Sequence, residues 1–203
     1  MRLFFNVDRE QEKEIRIKYK LQQEYPLTFS NALPRIEEYK DHDVFFILGK
    51  NFDLNFEALN GKPVFINSTT STLRELNLPK NVSRINGWNG FLEREIWEVA
   101  TLNEELVNQV FNFLNWKLIF VKDEPGLVSA RVIAMIINEA FYALHEKISS
   151  RQEIDLAMKL GTNYPMGPFE WAEKIGLEKV HSLLSILSEN DERYIPAFEL
   201  SNQ

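Results

Sequence analysis

Over the first 121 residues, short apolar runs alternate with polar stretches of helical spacing. "RLFFNV" (2–7), "DVFFIL" (43–48), "PVFIN" (63–67), "EIWEVA" (95–100) and "KLIFVK" (117–122) read as strands. Three of them are nearly continuous apolar runs, the pattern of a sheet covered on both faces, where neither side of the strand meets water. Helical spacing marks 9–23, 33–41, 72–77 and 102–115. This alternation predicts a mostly parallel sheet with crossover helices.

From Gly126 onward the strand signals stop. Residues 127–148 predict a long helix with two apolar faces. Val128, Val132, Met135 and Ile136 lie on one, and Ile133, Ile137, Phe141, Leu144 and Ile148 on the other. Two such faces predict burial on both sides, within a bundle or against a second subunit. Ser150 and Glu153 form a capping box for a helix ending at Gly161, and Pro168 opens the next helix, which leaves at Gly176. A further helix covers about 178–188. Two domains follow from the change of pattern, 1–122 α/β and 123–203 all-α.

Composition narrows the function classes. The formal net charge is -7, and no Lys/Arg cluster is large enough to track a phosphate backbone, so a nucleic-acid partner is excluded. There is no cysteine, which removes disulfides, thiolate nucleophiles and sulfur-ligated zinc and suits a reducing compartment. The longest purely apolar run, "VIAMII" at 132–137, is far shorter than a membrane span. No signal peptide is visible before Asp8, Arg9 and Glu10, so a cytoplasmic protein without membrane association is the expectation.

The stretch 121–177 carries Lys122, Asp123, Pro125, Gly126 and Arg131, then Asn138-Glu139-Ala140, then Asp155, Ala157, Met158, Gly161 and "YPMGPFE" at 164–170. This pattern resembles the C-terminal domain of the 3-hydroxyacyl-CoA dehydrogenases. The resemblance implies an abbreviated Rossmann-like sheet followed by a helical domain like the C-terminal domain of 6-phosphogluconate dehydrogenase. It further implies a homodimer made by the helical domain, an acyl-CoA-type ligand, and NAD as the cofactor of the family. For the turn itself, Gly161 and Gly167 are expected to absorb backbone angles that other residues dislike, and Tyr164 is pushed out of the helical region by the proline after it.

The family's site residues carry over weakly. Its H-F-F-N-P…E segment, laid on "NGWNGFLEREIWEVA", puts its Glu on Glu98, its Asn on Asn89 and its His on Asn86, and its S-N-T-S-S-L places the substrate-contacting serine on Ser71. A carboxamide at Asn86 hydrogen-bonds but does not accept a proton near neutral pH. His42, His145 and His181 read as surface or core-edge residues. Dinucleotide binding needs a glycine-rich turn after the first strand, yet "DREQEKE" follows "RLFFNV" and the first glycine is Gly49. Hence no cofactor is expected. The reading is a divergent, catalytically impaired relative that keeps a ligand pocket. A working oxidoreductase with an unconventional nucleotide site and a non-enzymatic dimerising protein stay open as alternatives.

Overall fold

The structure, a computed structural model, describes residues 1–20 and 25–201. It divides into two compact units, Met1–Leu127 and Val128–Gln203. Asp123 and Gly126 are hydrogen-bonded to residues of the first unit.

The first unit is a seven-stranded sheet: β1 (Leu3–Asn6), β2 (Leu27–Ser30), β3 (Val44–Ile47), β4 (Val64–Asn67), β5 (Val82–Ile85), β6 (Ile96–Thr101) and β7 (Lys117–Phe120). The order is β2-β1-β3-β4-β5-β6-β7, and every pair is parallel except β5 with β6. Removing the outermost strand from the doubly wound order 3-2-1-4-5-6 leaves the same arrangement for the first five strands. The mostly parallel, abbreviated Rossmann-like sheet is thus present. Among the described residues α1 (Arg9–Lys20) lies between β1 and β2, and α2 (Glu104–Leu114) links β6 to β7.

The doubled phenylalanines of β1 and β3 explain the sheet's cohesion. Their first and second members point to opposite faces, as the period of two requires. In register, Phe29, Phe5, Phe46 and Phe65 stack across four strands, with centroids 5.2, 4.7 and 4.8 Å apart. Ile15 of α1 and Val107, Val110, Phe111 and Leu114 of α2 cover that face. Tyr39, Leu54, Leu59 and Leu73 cover the other, where Phe4, Phe45 and Ile47 lie.

Several elements differ from the sequence expectation. Strands β2 and β5 were not anticipated: "LTFS" is short and half polar, and "VSRI" places an arginine in the interior. Residues 36–41 form a 3₁₀ helix and 72–77 a series of turns rather than α-helices. Residues 21–23 of the 9–23 expectation lie outside the described residues.

One face of α1 buries polar groups. Lys18 is buried; its ammonium donates to the Arg94 carbonyl at 2.6 Å and stands 5.5 and 5.3 Å from the ring centres of Trp97 and Trp116. Burial lowers its pKa from 10.5 to about 8, opposed by the Glu95 carboxylate. Below pH 8 both folded and unfolded chains carry this proton, and the folded chain bears the desolvation cost. Between pH 8 and 10.5 the folded chain has released it while the unfolded chain holds it, so this contribution makes stability rise with pH. At about 1.4 kcal/mol per pKa unit, discounted for water around the loop carbonyls, the gain is roughly 2 kcal/mol. Denaturant melts at pH 7.5 and 10.5 should show it in wild type relative to Lys18→Met, whose own pH response lacks the rise.

The second unit is helical: α3 (Ser129–His145), α4 (Arg151–Thr162), α5 (Pro168–Ile175), α6 (Leu177–Ser188) and α7 (Phe198–Ser201), with a 3₁₀ turn at Glu192–Tyr194. Helix α3 is central, packing against α5, α6 and α7. Of its two apolar faces, the one bearing Ile133, Ile137 and Phe141 is buried, whereas Val128 and Val132 stay half exposed. Asn138, fully buried, donates to the Ile195 carbonyl at 2.9 Å and accepts from the Ala197 amide at 2.8 Å, fastening the tail to α3. Both functions of the carboxamide are used, which is what makes its burial tolerable.

Pro168 opens α5 as expected, whereas the glycines at 161 and 167 have a different cause from the expected one. Helix α4 runs past Gly161 to Thr162, and Asn163 takes the left-handed cap at φ 56°. Gly161 and Gly167 are absent from the positive-φ glycines, whereas Gly176 has φ 98° at the α5–α6 junction. Gly167 is small because Asp155 lies over it: a Cβ there would be 2.3 Å from Asp155 Oδ1. That carboxylate accepts from the Phe169 amide at 2.8 Å, capping α5, while Glu170 accepts from the Gly167 amide at 2.9 Å.

Candidate functional site

All four sequence-predicted positions gather at the edge where β4 and β5 end and β6 begins. The antiparallel register pairs Ile85 with Val99, so Asn86 follows the last paired residue of β5 and Glu98 directly precedes that residue's partner on β6. Asn86 is buried and its Oδ1 accepts from the Trp88 amide at 3.1 Å, folding the side chain onto its own loop. Glu98 is half-buried on β6, with Ile119 of β7 as its register partner on the other side. Asn89 follows in the same connection, and its Oδ1 is buried without a hydrogen bond from the described residues. A buried acceptor in that condition costs free energy until a donor reaches it.

Ser71 lies in the turn after β4, which is held from beneath by an ion pair that sequence reasoning missed. Arg84 of β5 is fully buried and pairs with Asp123. Its Nε donates to the Ser68 carbonyl at 2.9 Å and its Nη2 to the Glu124 carbonyl at 3.4 Å. Both Asp123 oxygens accept from the Leu73 amide, at 2.9 and 3.1 Å, and the Gly126 amide donates to the Thr69 carbonyl at 2.6 Å. Burial lowers the Arg84 pKa, and the Asp123 carboxylate opposes that shift. Asp123 and Gly126 of the resemblance motif are therefore the anchors of the serine-bearing turn. The Arg84 side chain could have been suspected from an arginine set between apolar strand residues, because such a charge must be paired inside the fold.

At the turn after β1, the residues do not fit a dinucleotide diphosphate. Such a group sits on free amides at a helix N-terminus, with glycines letting the backbone come close. Here Val7 and Asp8 join β1 to α1, and Asp8 Oδ1 accepts from the Glu10 and Gln11 amides at 2.9 and 2.8 Å. The Asp8 amide donates to Gln11 Oε1 at 2.9 Å, completing a reciprocal cap. The first-turn amides are thus engaged by a carboxylate of the chain itself, and Glu10 and Glu12 add negative charge beside it. Among the described residues no group of three or more His, Cys, Asp or Glu could hold a metal ion. No helix among them is long and apolar enough to cross a membrane.

The chain thus combines a mostly parallel sheet, with polar residues at one edge, and an all-α unit. Residues 126–202 match the family model "3-hydroxyacyl-CoA dehydrogenase, C-terminal domain". This unit is therefore similar to the C-terminal domain of the 3-hydroxyacyl-CoA dehydrogenases. It is 45% identical over 78 residues to 3-hydroxyadipyl-CoA dehydrogenase of Escherichia coli, covering 37% of this chain and 16% of that protein. It is 44% identical over 78 residues to a probable 3-hydroxybutyryl-CoA dehydrogenase of Bacillus subtilis, covering 37% and 27%. These matches span well under a third of the relatives' length. Among solved structures, (S)-3-hydroxybutyryl-CoA dehydrogenase of Ralstonia eutropha superposes with a TM-score of 0.70 at 24% identity, over 87% of this chain and 69% of that one. The 3-hydroxybutyryl-CoA dehydrogenase of Escherichia coli gives 0.68 at 16%, over 98% and 50%. At these identities the likeness is one of fold.

Proposed function

We propose that this chain is a divergent 3-hydroxyacyl-CoA dehydrogenase homologue that has lost hydride transfer and retains a site for an acyl-CoA-type ligand. The reading rests on Asn86: laid on this chain, the family's catalytic base falls on a carboxamide, just after β5 and beside the strand that carries Glu98. A positioned general base contributes roughly 10²–10⁴ in rate, and an amide supplies none of it. Ligand retention is supported by the buried Asn89 Oδ1, the half-buried Ser71 and the rigid anchoring of its turn by Arg84 and Asp123. The chemistry then open to the edge is binding: carboxamides and a hydroxyl to orient a thioester's carbonyl and amide groups. No step is assigned to NAD.

The test is NADH oxidation with acetoacetyl-CoA alongside calorimetry with the same thioester. Wild type should give heat of binding and no turnover, and Asn86→His should likewise give none, because it restores the base without restoring the diphosphate turn. Turnover by either protein overturns the reading, and absence of thioester heat overturns its ligand half.

A homodimer through the helical unit belongs to the same proposal. Helix α4 buries none of its residues, leaving Leu156 and Leu160 exposed, and Val128 and Val132 at the start of α3 are half exposed. Exposed apolar groups in this number mark an interface, and sedimentation should give twice the 23.8 kDa chain mass. A cytoplasmic location suits a chain with no cysteine to oxidise.

A further inference from the structure

Three side chains of α1, one per helical turn, grip the backbone of the connection between β5 and β6. Gln11 Nε2 donates to the Gly87 carbonyl at 2.9 Å and, with its other hydrogen, to the Leu48 carbonyl at 2.8 Å. Glu14 accepts from the Gly90 amide at 2.6 Å and the Leu92 amide at 3.2 Å. Lys18 donates to the Arg94 and Glu95 carbonyls at 2.6 and 3.4 Å. Spacings of three and four put all three on one helix face, and all three are buried. Alternation of Lys18 with apolar neighbours suggests a solvated position, but residues 11, 14 and 18 share the stripe of the buried Ile15.

The ladder lies at a particular place. Open α/β sheets take their ligands outside the carboxyl ends of the strands, where the strand order reverses. That point here is between β1 and β3. Leu48 follows β3 directly, and Gln11 ties it to Gly87 beyond β5. Asn67, at the end of β4, closes the gap between them: its Nδ2 donates to the Leu48 carbonyl at 3.2 Å and its Oδ1 accepts from the Gly87 amide at 3.0 Å. The approach is close enough that a Cβ on Gly87 would be 2.8 Å from Asn67, and one on Gly49 would be 2.5 Å from Asn6 Oδ1.

We infer that the β5–β6 connection, clasped by Gln11, Glu14 and Lys18 and sewn at its root by Asn67, is the resident occupant of the crevice in which sheets of this class receive a dinucleotide. The chain supplies its own anion to the helix start, through Asp8, and its own peptide groups to the strand ends. Dinucleotides are excluded by occupancy as well as by the loss of glycines. The same clasp fixes the loop that carries Asn86 and Asn89, so the ligand edge is preset without a cofactor.

Two measurements on the intact chain test this. NADH and NAD titrated to about 1 mM should produce no saturable heat and no saturable change in tryptophan fluorescence; saturation by either overturns the inference. The same titration with a CoA thioester bears only on the ligand reading above, so the two fail separately. Hydrogen exchange supplies the second readout. The Gly90 and Leu92 amides should be protected to a degree comparable with strand amides such as that of Phe46. In Glu14→Gln the Leu92 amide loses an acceptor and should exchange at least about tenfold faster while Phe46 is unmoved. Wild-type Gly90 and Leu92 amides exchanging like those of an exposed loop would overturn the clasp whether or not the variant folds.

Discussion

Asp123→Ala should lower the unfolding free energy by about 3–5 kcal/mol, the range found when one partner of a buried ion pair is removed. The reason is the guanidinium left behind. Arg84 has no exposed surface, and its remaining partners, the Ser68 and Glu124 carbonyls, carry no compensating charge. The Leu73 amide loses both of its carboxylate acceptors in the same step. Set against a typical total of about 5–15 kcal/mol for a domain, this is a large share. Asp123→Asn keeps acceptor capacity for Leu73 and should lose less. Arg84→Met removes the buried guanidinium and leaves Asp123, which is partly exposed and keeps the Leu73 amide, so it should also lose less than Asp123→Ala; an apolar stem of similar length fills the space. Urea denaturation of the three variants gives the order directly; Arg84→Met proving the most damaging would show that the arginine's hydrogen bonds matter more than its charge.

How much of this was legible beforehand depends on whether the determinant is local. The doubled phenylalanines announced strands because a two-face-covered sheet needs apolar residues at both parities. The Ser150–Glu153 box announced a helix start because its bonds close within four residues, and the structure contains them. Arg84 obscured β5 because its partner is 39 residues away and a lone sequence cannot show the pairing. Strand β2 was lost for a similar reason: its pairing with β1 is made by backbone, and its side chains are only half-buried. The site divided along the same line. The four positions could be laid on the chain by resemblance, and Asn86 and Glu98 flank the last β5–β6 register pair, Ile85 with Val99. What the positions rest on could not be read, since Arg84, Gln11, Glu14 and Lys18 owe their roles to loops at distances of 16 to 78 residues. Buried polar side chains bonded to distant backbone have no signature in hydrophobic periodicity beyond sharing a stripe with apolar residues.

The two glycines of the motif at 161–167 should respond to the same substitution with opposite signs. Gly167→Ala is expected to cost about 2–4 kcal/mol. Its φ of -72° is open to alanine, so the backbone gives no reason for glycine. The new methyl would meet the Oδ1, Cβ and Cγ of Asp155 at 2.3 to 2.4 Å. Those include the rigid base of the side chain, so Asp155 must move with α4 or α5 must retreat. Overpacking of this kind costs about 1–3 kcal/mol. Moving Asp155 also breaks its bond to the Phe169 amide, adding about 1 kcal/mol for a lost helix cap. Gly161 sits exposed in the last turn of α4, with nothing within 4 Å of an added Cβ. Gly161→Ala should therefore stabilise by roughly 0.5–1 kcal/mol, the helix propensity difference with no steric charge against it. Thermal melts of the two variants decide the matter. If both destabilise, the backbone at 161 is under a constraint other than packing; if neither does, Asp155 does not cover Gly167 and the explanation of the turn fails.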